Sequence, residues 1–131
     1  MTDQRIDHIN IRIPKDGVEA ALEFYVDLLG FEPLKLDAYR ADERTSFFVR
    51  IGETSVINVR PVETFQEPSG ENLDHFCLIV DESIEELKPR LEEHGVEILR
   101  EGTPYGATGR APAVYVTDPF GFKIELKEPV E

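Results

Sequence analysis

Among 131 residues there is one cysteine, one methionine and no tryptophan. A single cysteine, Cys77, excludes an internal disulfide and suits a reducing compartment, so a cytoplasmic protein is expected. No apolar run approaches the roughly 20 residues of a membrane-spanning helix. The start, Met-Thr-Asp-Gln-Arg-Ile-Asp, lacks the charged n-region and apolar h-region of a signal peptide, and none is expected. Cations are scarce: 14 Lys and Arg stand against 27 Asp and Glu, a formal net charge of −13. Nucleic acid and anionic membrane both want a basic surface, so neither is an expected partner. No Gly-x-Gly-x-x-Gly opens a helix and no glycine-rich segment ends in Gly-Lys-Ser/Thr. Dinucleotide and phosphate loops are therefore unsupported.

What is present suffices for one domain, or for two small modules sharing a core, with 40% of residues hydrophobic. Residues 6–13 alternate, with Ile9, Ile11 and Ile13 on one face and His8, Asn10 and Arg12 on the other: a half-buried strand. Pro14 ends it, and Asp16 is the expected N-cap of a helix from Gly17 to Leu29 with a stripe of Val18, Leu22, Tyr25, Val26 and Leu29. An extended segment follows at 31–36. Strands over 45–51 and 55–62 are joined at Gly52-Glu53-Thr54. Residues 63–72 read as a polar linker. A strand over 73–80 then leads to Ser83-Ile84-Glu85-Glu86, a capping box opening a helix that Pro89 is expected to kink. A strand at 96–99, a Gly- and Pro-rich loop at 101–112, and strands over 113–117 and 122–127 complete the chain. Between the last two, Asp118-Pro119-Phe120-Gly121 supplies a tight turn.

The two halves repeat. Ile6-Asp7-His8 returns as Leu73-Asp74-His75, and Ile57-Asn58-Val59 as Ile124-Glu125-Leu126, each 67 residues on. The polar faces of these strands carry His8, Asn58, His75 and Glu125. Either histidine alone would be an ordinary solvated side chain. Both at one offset, each after Asp, with a glutamate at the equivalent of Asn58, point to a divalent-metal site of His8, His75 and Glu125. Asn58 is a weak fourth oxygen ligand or faces substrate. His94 precedes a cap glycine at a helix C-terminus and is expected to be structural. Cys77 is taken as a small buried hydrophobe. Arg12 and Arg60, on the polar faces, and Tyr105, Arg110 and Tyr115 are further candidates for substrate contact, and the catalytic base is unassigned.

The repeated modules, the two Asp-His starts and the ending Asp-Pro-Phe-Gly-Phe-Lys-Ile-Glu-Leu resemble the vicinal oxygen chelate superfamily, which includes glyoxalase I, bleomycin- and fosfomycin-resistance proteins and extradiol dioxygenases. Gly106-Ala107-Thr108-Gly109 is similar to a small glyoxalase-like subgroup. The resemblance covers essentially the whole chain. It implies an α+β fold of two βαβββ modules, 5–62 and 73–129, related by a pseudo-twofold, with curved mixed sheets around an open cleft. It also implies metal ligation by His8, His75 and Glu125, a small oxygen-rich substrate chelated by the ion, and Lewis-acid chemistry of lyase or isomerase type. Iron, manganese, zinc, nickel and cobalt all suit two histidines and a carboxylate. A homodimer is the expected assembly, with modules paired within one chain or swapped between two.

Two departures keep other readings open. Glyoxalase I carries a fourth ligand, usually Glu and also a proton acceptor, where this chain has Asn58, and an amide takes no proton at neutral pH. Extradiol dioxygenases place a histidine ahead of the Tyr-x-x-Asp-Pro-x-Gly strand, where this chain has Gly106, Ala107 and Thr108. The alternatives are a metal-free drug- or metabolite-binding protein of the bleomycin-resistance kind, and an extradiol-type dioxygenase.

Overall fold

The alternating isoleucines become strand β1, His8–Pro14, with Ile11 and Ile13 buried and His8, Asn10 and Arg12 exposed. The computed structural model describes residues 4–131, and the chain divides into two compact units, Met1–Gln66 and Glu67–Glu131. Each is α+β and each is built around one open four-stranded mixed sheet. No helix among the described residues is long and apolar enough to cross a membrane.

In the first unit β1 is followed by a 3-10 turn (Lys15–Gly17), helix α1 (Val18–Ala21) and a π-helical continuation, Leu22–Leu28. Asp16 lies inside the 3-10 turn, and neither helix start has a side-chain cap, so Asp16 does not cap as expected. The wider π turn, closed by Leu29 N–H donating to Phe24 O at 3.1 Å, also moves the buried face. Ala21, Phe24, Tyr25 and Leu28 are buried, whereas Val18, Leu22 and Val26 are only half-buried. Strand β2 is Glu32–Leu34, and a short helix α2, Leu36–Arg40, follows where extended chain was expected. Five residues are too few to show a helical period. Strands β3 (Phe47–Arg50) and β4 (Val56–Val62) complete a sheet of order β1-β4-β3-β2.

The second unit has β5 (Phe76–Ile79), α3 (Ile84–Glu93), β6 (Ile98–Gly102), β9 (Ala113–Thr117) and β10 (Lys123–Lys127), in order β5-β10-β9-β6. Between β6 and β9 the segment expected to be loop forms a two-stranded hairpin, β7 (Tyr105–Gly106) and β8 (Gly109–Arg110). Ser83 caps α3, its hydroxyl accepting from Glu86 N–H at 3.2 Å, and Glu128 Oε2 accepts from Ile84 N–H at 2.8 Å. The helix continues through Pro89 to Glu93, and His94 closes it by pairing its Nδ1 with the Arg90 carbonyl at 2.8 Å.

The two sheets have the same connectivity. In each, the first strand lies parallel to the last, β1 to β4 and β5 to β10, and the last pairs antiparallel with the one before it. The 67-residue offset survives in the registers. Asn58 faces Asn10 and Phe48 across its ladder, and Glu125 faces Cys77 and Tyr115. Position 58 and position 125 are therefore the same place in two copies of one sheet: the middle of an interior strand.

Candidate metal centre

Glu125 is held there by alternation. Its neighbours Ile124 and Leu126 are fully buried on the back of β10, which turns Lys123, Glu125 and Lys127 to the front. The approach to β10 is fixed by the turn before it. Asp118 Oδ1 accepts from the N–H groups of Phe120 and Phe122, both at 2.9 Å, and Gly121 takes the φ of 99° that the turn needs. Although it is a carboxylate, Glu125 is only 6% exposed. A buried carboxylate needs a cation or donors.

Its partner is His75. Nε2 of His75 lies 3.0 Å from Glu125 Oε1, and Nδ1 of the same ring lies 2.7 Å from Asp74 Oδ2. A neutral imidazole has one N–H. Two carboxylates thus compete for one proton, and the ring satisfies both only as imidazolium or with a cation at Nε2. Asp74 is held below the ordinary carboxylate range, first by the hydrogen bond from His75 and then by Lys123, whose Nζ is 3.3 Å from the same oxygen. The ring of Tyr115 meets His75 edge to face at 5.2 Å, and the Arg100 guanidinium lies 4.3 Å from the Tyr115 ring centre. The Tyr115 phenol is pushed above its usual range, chiefly by burial and further by Glu125, with Arg100 opposing.

Cys77, across the ladder from Glu125, is exposed and not the buried hydrophobe expected from the sequence. Partial desolvation, and then Glu125, push its thiol up to about 12, so it stays protonated at neutral pH. Beside this cluster a recess of about 480 Å³ is lined in part by Asp74, His75, Leu99, Thr117, Phe122 and Lys123.

The first unit repeats half of this. His8 Nδ1 is 2.7 Å from Asp7 Oδ2, as in the second copy. Asn58 stands where Glu125 would be, and its Oδ1 is a buried oxygen with no hydrogen-bond partner among the described residues. Such an orphan acceptor is rare and calls for a donor or a cation. Arg12 and Arg60 are register partners on neighbouring strands, both exposed. Tyr105 and Arg110 are engaged with their own hairpin: the guanidinium lies 5.0 Å from the Tyr105 ring centre and donates to Thr103 O at 2.9 Å.

The donors fit a divalent ion in their chemistry. Two ligands with bonds of about 2.1 Å meeting at a right angle lie about 3 Å apart, the separation of His75 Nε2 and Glu125 Oε1. Among the described residues, no three His, Cys, Asp or Glu side chains are gathered to hold a metal ion. Sequence reasoning missed Asp7 and Asp74 as ring partners, and with them Arg100, Lys123 and Lys127. The Asp-His repeat is the signal in the sequence, since the same acid precedes the histidine in both copies.

The glyoxalase family model, described as the glyoxalase/bleomycin resistance protein/dioxygenase superfamily, matches residues 5–126. A Synechocystis protein named "Probable lactoylglutathione lyase" is 31% identical over 123 residues, 91% of each chain. A lactoylglutathione lyase from Neisseria meningitidis is 28% identical over 126 residues, 93% of this chain and 88% of that one. Among solved structures, a glyoxalase family protein from Enterococcus faecalis superposes with a TM-score of 0.66 at 27% identity, over 98% of this chain and 100% of the other. A virulence protein from Salmonella typhimurium superposes with a TM-score of 0.72 at 24% identity, over 99% and 100%, and shares the fold.

Proposed function

The chain belongs to the glyoxalase/bleomycin resistance protein/dioxygenase superfamily, and from that premise we propose a divalent-metal-dependent enzyme of glyoxalase type, acting on a small oxygen-rich substrate by lyase or isomerase chemistry. The observation that supports it is His75, whose two ring nitrogens each face a carboxylate, in a geometry toward Glu125 that suits a shared cation. His75 and Glu125 supply two ligands, and His8, from the same chain or a second copy, supplies the third. The Asn58 oxygen, buried without a partner among the described residues, would accept from a donor on the substrate or serve as a weak further ligand.

A bound divalent ion would supply Lewis-acid stabilisation of an oxyanion or enediolate, and iron, manganese, zinc, nickel and cobalt all suit this donor set. The chain's own groups do the rest. Tyr115, kept protonated by its surroundings, is a hydrogen-bond donor beside His75. Glu125 is the one carboxylate on β4 or β10, and Asn58 takes no proton, so proton transfer falls to Glu125. Arg12 and Arg60 place two like charges side by side, an unfavourable pairing unless an anion lies across it. They hold a carboxylate or phosphate of the substrate.

Metal analysis of protein purified without chelator tests the reading, with lactoylglutathione as the first substrate because relatives carry that name. Wild type is expected to carry a divalent metal that His75→Ala loses, with turnover abolished by chelator and restored by metal. Equal trace metal in both proteins, with ligand binding indifferent to chelator, would establish a metal-free binding protein instead. Oxygen uptake with catechols under ferrous iron is expected to be silent. Assembly as a homodimer belongs to the same reading and is measured by sedimentation equilibrium.

A further inference from the structure

Each unit enters its first strand through Asp-His, and in each the Asp Oδ2 lies 2.7 Å from the His Nδ1. Adjacent residues within a strand point to opposite faces and cannot meet this way. They meet here because the pairs sit at the strand entrances: His8 is the first residue of β1, and His75 immediately precedes β5. The contact is thus built twice, in equivalent positions, by the same departure from the pleat. At 2.7 Å it is in the range of a charge-assisted bond to a carboxylate.

Such a bond decides which ring nitrogen carries the proton. With Nδ1–H donating to aspartate, the lone pair is at Nε2, and in the second unit Nε2 is the nitrogen that faces Glu125. If Nε2 bore the proton instead, Nδ1 would present a lone pair to Asp74 and the ring would have nothing to offer a cation on the Glu125 side. We propose that Asp7 and Asp74 are positioning residues that fix His8 and His75 in the tautomer whose Nε2 binds a divalent cation. This rests on the metal-dependent reading above.

The two copies are not equal. The His75 side chain is 28% exposed and that of His8 50%. Lys123 shares the Asp74 oxygen, whereas the equivalent position in the first unit is Val56. The aspartate of the second unit is therefore held from two sides, and its loss has the larger effect. An ordinary exposed ion pair would behave differently, since its removal changes stability slightly and metal affinity not at all.

The experiment uses full-length protein with Asp74→Asn, Asp7→Asn and, as a second variant at the more demanding site, Asp74→Ala. Long-range nitrogen-15 NMR of the histidine rings, on chelator-treated protein at about pH 8, where free imidazole is neutral, reads which ring nitrogens carry a proton. Competition with a chromophoric chelator reads zinc affinity. In the wild type both rings are expected to hold Nδ1–H. In the Asp74 variants His75 moves toward Nε2–H, and zinc affinity falls by about 10- to 100-fold, the usual effect of losing such a partner. The Asp7 variant falls less, and thermal midpoints stay near wild type. Zinc binding that needs His75 but is unchanged in both Asp74 variants, or a His75 ring that keeps Nδ1–H without Asp74, overturns this proposal alone. Zinc binding that survives His75→Ala overturns the functional reading and the proposal with it.

Discussion

Glu125 and His75 meet at 3.0 Å with the carboxylate only 6% exposed, so a buried carboxylate on the second sheet faces the imidazole nitrogen opposite the one that Asp74 engages. Glu125→Gln keeps the shape and removes the charge. Metal affinity should fall by more than about 100-fold, beyond the range set by loss of an outer partner. Equilibrium dialysis against the metal found in wild type checks this. Circular dichroism should be unchanged, because Ile124 and Leu126 still fill the back of the strand.

Asn58 is the counterpart of Glu125, and its buried oxygen has no hydrogen-bond partner among the described residues. Replacing it by leucine removes an unsatisfied acceptor. Asn58→Leu should therefore stabilise the metal-free protein by about 1–3 kcal/mol while lowering ligand or metal binding. Denaturant midpoints with and without metal separate the two effects. A variant that is both less stable and fully active would refute the assignment.

Lys127 is buried at 2% exposure and donates from Nζ to Gly109 O at 2.6 Å, and a Cβ at Gly106 would come within 2.6 Å of the same Nζ. The hairpin of β7 and β8 is thus fitted around an ammonium group. Gly106→Ala forces the lysine tip to shift, and because that tip is the end of a flexible side chain the cost should be no more than about 1 kcal/mol, the worth of one hydrogen bond. Lys127→Met removes the obstacle. A double-mutant cycle by urea denaturation should show the Gly106→Ala penalty largely abolished in the Lys127→Met background.

The Cys77 thiol, pushed up to about 12 by partial desolvation and by Glu125, is a poor nucleophile at neutral pH although exposed. A raised thiol pKa means the thiolate appears only as pH climbs toward that value. Iodoacetamide labelling of metal-free native protein should be slow near pH 7 and rise steadily through the alkaline range. Glu125→Gln removes one cause of the shift and should speed labelling at any fixed pH below it. Mass spectrometry of timed samples measures both.

Much of this was legible in the chain. Alternation placed His8, Asn10 and Arg12 against Ile11 and Ile13, and Phe122-Lys123-Ile124-Glu125-Leu126 against its own back face, because a strand half covered by a core must alternate. The offset of 67 aligned Asn58 with Glu125, since two copies of one sheet keep one register. Short or irregular elements were not legible. The π turn over Leu22–Leu28 displaced the buried face, the five-residue helix at Leu36–Arg40 has no period to read, and the β7–β8 hairpin looks like loop because its strands are two residues long, carry Gly106 and Gly109, and lie between Pro104 and Pro112.

The sequence by itself determined the modules, the face on which each polar side chain lies, and the candidate set of His8, His75, Glu125 and Asn58. All of these follow from local periodicity and its repetition. Only the tertiary structure decided that Asp74 grips the far nitrogen of His75, that Asn58 carries an orphaned oxygen, and that a lysine lies buried beneath Gly106 and Gly109. Those relationships depend on where strand entrances, neighbouring strands and a hairpin put individual atoms. Periodicity fixes the face a side chain takes, and the partner it meets there is set by packing.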